Sequence, residues 1–202
     1  MNGFIADKIT NLSAARYFAA RGADWLFFDP QAGSGLSLRQ MLAIKEWVEG
    51  PQCGLYLALG ADSIATDMHE HFQPDGVMLG HFAALQGIPA NLTIFKEWCP
   101  EVHSDPTMLV SWIEATAQAD HHLIRLEDWS LEAIRSLGST FRTLSSAHSL
   151  FLSTRLPSQE WSQLLDMDLP LNYCFSSPAE EQVGLLAVED LDGWIDTLEE
   201  RM

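Results

Sequence analysis

Residues 3–30 read Gly3-Phe4-Ile5-Ala6-Asp7-Lys8-Ile9-Thr10-Asn11-Leu12-Ser13-Ala14-Ala15-Arg16-Tyr17-Phe18-Ala19-Ala20-Arg21-Gly22-Ala23-Asp24-Trp25-Leu26-Phe27-Phe28-Asp29-Pro30. A short apolar run, Gly3 to Ala6, opens the stretch. Asn11 can cap a helix that carries Leu12, Ala15, Phe18 and Ala19 on one side. Gly22 ends that helix, and Trp25 to Phe28 forms a second run closed by Asp29-Pro30. Strands that are apolar throughout, joined by an amphipathic helix, belong to a parallel sheet covered on its outside.

The same unit repeats down the chain. Leu38 to Val48 reads as a helix ended by Gly50-Pro51, and Gly54 to Leu59 is the third run. A helix is expected from about Ala61 to His71, then a Pro74-Asp75-Gly76 turn and a fourth run, Val77 to Leu79. Only a short helical segment, near Phe82 to Leu85, fits before the fifth run, Leu92 to Phe95. Leu109, Trp112, Ile113 and Thr116 then mark a helix at i, i+3, i+4 and i+7. The sixth run is Leu123 to Leu126, followed by a helix over Leu131, Ile134 and Leu137. The seventh is Leu150 to Leu152, with Trp161, Leu164 and Leu165 in the next helix. The eighth is Leu171 to Phe175, and the closing helix carries Leu191, Trp194, Ile195 and Leu198. Eight alternations predict an α/β fold, a (β/α)8 TIM barrel, as one compact domain over 1–202, with an open doubly wound sheet as the alternative.

Composition narrows the function classes. The 202 residues carry 28 acidic and 11 basic side chains, a formal charge of -17. Such a surface repels nucleic acid and anionic lipid, so neither is an expected partner. A phosphorylated ligand would need a local positive site. The three cysteines, Cys53, Cys99 and Cys174, have no zinc or redox spacing and are read as reduced thiols in the cytoplasm. No basic segment leads into an apolar run at the start, and no stretch approaches the ~20 apolar residues of a membrane span. The histidines lack ligand spacing with carboxylates, so no metal or cofactor is expected. Nothing in the sequence speaks to oligomeric state.

Taken in order, several segments resemble phosphoribosylanthranilate isomerase. Ile5 to Leu12, Ala14-Ala15 and Arg21-Gly22-Ala23-Asp24 resemble that family's K-I-C-G-I-T strand, helix and G-A-D turn. Gly54-Leu55-Tyr56-Leu57 resembles its third strand, and Pro74 to His81 its L-D-A-V-Q-L-H-G segment. Ser176-Ser177-Pro178 and Val183-Gly184 resemble its S-S-G and P-G-V-K-D segments. The resemblance implies a barrel that performs an Amadori rearrangement of an aminoaldose phosphate. The family uses a Cys on the first strand as base, an Asp ending the sixth strand as acid, and glycine amides after strands seven and eight for the phosphate.

This chain departs at those points. Asp7 stands at the Cys position and Lys8 at the following Gly. The sixth strand ends Arg125-Leu126-Glu127-Asp128, so either acid can match the family's Asp. The G-G-T-G stretch is reduced to Gly138-Ser139-Thr140, the G-G after strand seven is Thr154-Arg155, and Pro178 replaces a Gly. Proline has no N–H to offer a phosphate. The arginine that would read the anthranilate carboxylate falls near Ser34.

Two main functions follow, beside a third, a different lyase or isomerase on the same barrel acting on an unphosphorylated substrate. One is a diverged paralogue without isomerase activity that binds a small-molecule ligand or partner at the barrel mouth. The other is an active aldose–ketose isomerase with Asp7 as base and Glu127 or Asp128 as acid. Lys8, His81, Arg125, Thr154, Arg155, Ser176 and Ser177 are the candidate ligand-binding residues. Asp7 has a second reading as a helix-capping or Lys8-paired carboxylate. Arg155 can bind phosphate bidentately or answer the acidic surface. Arg125, inside a strand-like run, needs a partner: pointing inward it fills the mouth, pointing outward it leaves the mouth open.

Overall fold

In the computed structural model, residues 3–30, 36–58, 70–101, 104–178, 180–182, 185–186 and 188–201 are described. The strands are β1 (Phe4–Ile9), β2 (Trp25–Phe28), β3 (Gln52–Leu57), β4 (Gly76–Leu79), β5 (Thr93–Trp98), β6 (His121–Arg125), β7 (Ser149–Ser153) and β8 (Asn172–Ser176). They pair in parallel in sequence order, and β8 returns to β1 with Phe4 opposite Tyr173 and Asp7 opposite Ser176. The barrel is therefore closed, as the alternation predicts.

The helices are α1 (Leu12–Ala20), α2 (Leu38–Trp47), α3 (Pro106–Ala115), α4 (Leu131–Ser136), α5 (Gly138–Leu144), α6 (Ser158–Leu165) and α7 (Glu189–Glu199). Local chemistry sets their starts. Asn11 accepts from the Ala14 N–H, Ser37 forms a capping box with Gln40, and Asp105 caps α3 ahead of Pro106. A small antiparallel pair, β9 (Glu180–Gln182) with β10 (Leu185–Leu186), lies between β8 and α7 and has no counterpart in the sequence reading.

Three expectations are corrected. The segment Phe82 to Leu85 is turn, not helix. Of its carbonyls, that of Ala83 is taken by the buried Lys96 ammonium, which also holds those of Gly80 and His81 just before it. A second departure is that β1 and β5 run on to Ile9 and Trp98, past the apolar runs, because Asp7, Lys96 and Glu97 are buried with partners. The third is that the helical stripe after β6 is two short helices, α4 and α5, in direct succession. The expected helix from Ala61 lies almost wholly outside the described residues, as do Ser34 and Val183-Gly184.

Alternation within each strand divides the core. Ile5, Trp25, Phe27, Met78, Phe95, Leu123, Phe151 and Cys174 pack inside the barrel with Tyr56 beside them. Phe4, Ala6, Leu26, Phe28, Leu55, Val77 and Ile124 point out into the layer covered by helices. At the N-terminal face, side chains seal strand starts: Asn172 accepts from Gly3 N–H, Asp75 from Cys53 N–H and Asp120 from Ile94 N–H.

Candidate functional site at the barrel mouth

Two residues beyond Ile5, Phe95, Leu123, Phe151 and Cys174, the strands place Asp7, Glu97, Arg125, Ser153 and Ser176. The period of two turns all of these inward, at the C-terminal ends where barrel active sites are built. The apolar interior thus ends in a polar layer, and Arg125 is at its centre. Its Nη2 donates to Asp7 Oδ2 at 2.5 Å, and its Nε donates to Glu97 Oε1. Nη1 donates to Glu127 Oε1 at 3.0 Å, Ser153 Oγ at 3.3 Å and Ser176 Oγ at 3.4 Å. The second oxygen of Glu97 accepts from the Tyr56 hydroxyl at 2.9 Å. The second oxygen of Glu127 pairs with Arg155 Nη2 at 2.7 Å.

The electrostatics follow from this packing. Burial opposes the Arg125 charge, yet Asp7 and Glu97 together hold its pKa well above the usual guanidinium range. Burial and the Glu97 charge raise the Tyr56 hydroxyl and push the Cys99 thiol up to about 12. Asp7, Glu97 and Glu127 face Arg125 and Arg155, so the network carries three carboxylates against two guanidiniums. Asp7 Oδ1 is buried without a hydrogen-bond partner among the described residues.

The sequence-selected residues divide among three places. Asp7, Arg125, Glu127 and Ser176 join the central network. Thr154, Arg155, Ser176 and Ser177 line one cavity of about 290 Å³ against Glu127, Pro178 and Trp194. Thr154 Oγ1 and Trp194 Nε1 are buried without hydrogen-bond partners among the described residues. Asp128 is exposed and lines a neighbouring cavity of about 150 Å³ with Cys99, Arg125, Glu127 and Trp129. The Glu127 side chain borders both cavities.

Lys8 and His81 stand apart. Lys8 adopts φ 53°, unusual for a side-chain-bearing residue, and the Asp7 carboxylate pairs with Arg125 rather than with it. His81 Nδ1 accepts from the Cys99 N–H at 3.1 Å, and its ring meets Phe82 edge-on. Burial first, then Lys96, lowers its pKa.

Sequence reasoning missed Glu97 and Tyr56. The available signal was parity: Glu97 is two residues beyond the inward Phe95, and Tyr56 is two beyond Gly54. Among the described residues no group of three His, Cys, Asp or Glu side chains is arranged to hold a metal ion, and no helix is long and apolar enough to cross a membrane.

A closed parallel eight-stranded barrel with a polar mouth defines the (β/α)8 class. Within it, solved structures of phosphoribosylanthranilate isomerases superpose over nearly the whole chain. The enzyme from Thermus thermophilus gives a TM-score of 0.70 at 16% identity, covering 99% of this chain and 100% of that one. The enzyme from Thermotoga maritima gives 0.69 at 16% identity with the same coverage. A different enzyme, thiamine phosphate pyrophosphorylase from Pyrococcus furiosus, gives 0.59 at 12% identity, covering 98% of this chain and 96% of that one. Identities this low establish the fold. No family model matches the sequence, and no curated protein is similar to it in sequence.

Proposed function

We propose that this chain is a phosphoribosylanthranilate isomerase-like barrel that no longer performs that isomerisation and binds a small ligand at its mouth. The observation that carries the reading is the Arg125 side chain, which occupies the centre of the mouth and takes Asp7, Glu97 and Glu127 at once. A general base must be free to accept a proton from a substrate lying against it. Asp7 instead accepts a charge-assisted hydrogen bond at 2.5 Å, and protonating it would cost the partner of a buried guanidinium. Glu127 is held between two guanidiniums, so both of its oxygens are already engaged.

The open space is the cavity beside Thr154, Arg155, Ser176 and Ser177. Arg155, with Ser176 and Ser177 beside it, suits a small polar ligand with acceptor oxygens. Its about 290 Å³ sits at the lower end of ligand sites. We place the protein in the cytoplasm, with Cys53, Cys99 and Cys174 as free thiols.

The test is complementation of a strain lacking the isomerase, with a parallel turnover assay on purified protein. The expected result is no growth and no turnover. Growth with turnover would overturn the reading and restore Asp7 with Glu127 or Asp128 as an acid–base pair in tryptophan biosynthesis.

A further inference from the structure

The larger open space is at the other end of the barrel. A cavity of about 840 Å³ opens on the N-terminal face, within the range of small-molecule sites. Its origin is legible in two glycines. A Cβ on Gly54 would lie 2.4 Å from the Phe27 ring, and one on Gly76 would lie 2.8 Å from the Trp25 ring. Both large rings therefore lean over β3 and β4, stacked on each other at 5.5 Å. The space they leave faces the starts of β6, β7 and β8. There the inward residues are His121, Ser149 and Asn172, with Phe151 behind.

The lining has a definite chemistry. Trp25, His121 and Phe151 present aromatic surface, and His121 packs on Phe95 at 4.3 Å and edge-on to Phe151 at 5.6 Å. Burial lowers the His121 pKa, so the ring is neutral at pH 7 and adds no positive charge. Asp24 stands at the rim and forms no ion pair among the described residues, and partial burial raises its pKa. Among the described residues no lysine or arginine lines the cavity. Ser149 and His121 make no side-chain hydrogen bond among the described residues, while Asn172 is spent on Gly3 N–H and the Leu150 carbonyl.

We propose that this cavity is a second binding site, for a small planar aromatic cation, with Trp25, His121 and Phe151 receiving the ring and Asp24 the positive group. Aromatic faces attract cations, and a carboxylate without a cation gains most from one that arrives already partly desolvated. The chain's charge of -17 favours the same sign of ligand. The site is separate from the mouth, so it does not rest on the loss of isomerase activity.

Benzamidine is the probe and benzamide its neutral isostere, each titrated into the full chain by amide NMR and calorimetry. Benzamidine is expected to bind and to shift the amides of residues 24, 121, 149 and 151. Benzamide is expected to bind roughly tenfold more weakly. Asp24→Asn, at a surface rim, should reduce benzamidine to the level of benzamide while leaving the melting temperature unchanged. Ser149→Leu should weaken both by crowding the space between His121 and Phe151. Equal affinities for the two probes, indifference to Asp24→Asn, or shifts confined to the Arg125 mouth would overturn the proposal. So would sedimentation showing the face closed by a second copy that benzamidine does not displace.

Discussion

Arg125 on β6 donates to Asp7 on β1 at 2.5 Å, an ion pair that reaches between non-adjacent strands of the barrel. Both side chains are almost fully buried, at 8% and 0% exposure. Truncating the cation leaves Asp7, Glu97 and part of Glu127 without it. Arg125→Met is therefore expected to destabilise the fold by roughly 3–5 kcal/mol, the range for breaking a buried ion pair from one side. Adding Asp7→Asn and Glu97→Gln to that variant should return part of the loss, because the uncompensated charges disappear. Urea denaturation of the single and triple variants measures both effects. A triple variant less stable than the single one would refute the electrostatic account.

Lys96 supports the loop that follows β4. Its buried ammonium donates to the carbonyls of His81 at 2.9 Å and Ala83 at 2.8 Å, and to that of Gly80. Burial lowers its pKa. Methionine keeps the stem and removes all three donors. Lys96→Met should cost about 3 kcal/mol, from buried acceptors left without partners. Amide exchange at residues 80–83 should accelerate more than exchange in β4 itself. Uniform acceleration across the barrel would mean that the lysine acts globally and does not pin this loop.

How much of this was legible follows from which residues carry it. The strands were readable because Trp25-Leu26-Phe27-Phe28 and Val77-Met78-Leu79 are apolar on both faces, as a covered parallel sheet requires. The end of β5 was not readable, since Lys96 and Glu97 look like a solvated turn until their partners, three carbonyls and Arg125, are placed in space. Arg125 could be reduced to two orientations from sequence, but choosing between them needed Glu97 and Tyr56 across the barrel. The N-terminal cavity was invisible for a similar reason. It depends on Gly54 facing Phe27 and Gly76 facing Trp25 across strands, a relation no single segment contains.

His122 gives the expected pH dependence. Its ring is wholly buried, donates from Nε2 at 3.3 Å to the Thr116 carbonyl, and packs against Trp112 and His148. Burial lowers its pKa to about 4, only partly offset by the Thr116 carbonyl. In the unfolded chain the imidazole returns to about 6.5. Between those values the unfolded state binds the extra proton, so stability rises with pH. The contribution is fully present above about 6.5, falls progressively on acidification, and is gone below about 4. The loss is on the order of 3 kcal/mol, and His121, also lowered by burial, acts in the same direction. His122→Phe should flatten this limb of the stability profile. An unchanged slope from pH 6.5 to 4 in that variant would remove His122 as its source.

The last expectation concerns the obvious attempt to restore the isomerase. The sequence resemblance sets Asp7 against the family's cysteine base, so Asp7→Cys would reinstate that residue type. The structure argues that this change alone does harm. The new thiol would face the Arg125 guanidinium, which would have lost its 2.5 Å carboxylate partner while keeping Glu97 and Glu127. Arg125 would still fill the mouth, and Pro178 would still withhold an amide from the cavity beside Ser177. Asp7→Cys is therefore expected to lower stability by roughly 2–3 kcal/mol and to give no complementation of an isomerase-deficient strain. Opening the mouth requires removing the cation and its acids together, as in Asp7→Cys with Arg125→Val and Glu97→Val, and that triple variant should fold more stably than Asp7→Cys alone. Growth supported by the single Asp7→Cys change would show that Arg125 can leave the mouth readily, and the view of it as a fixed structural plug would have to be abandoned.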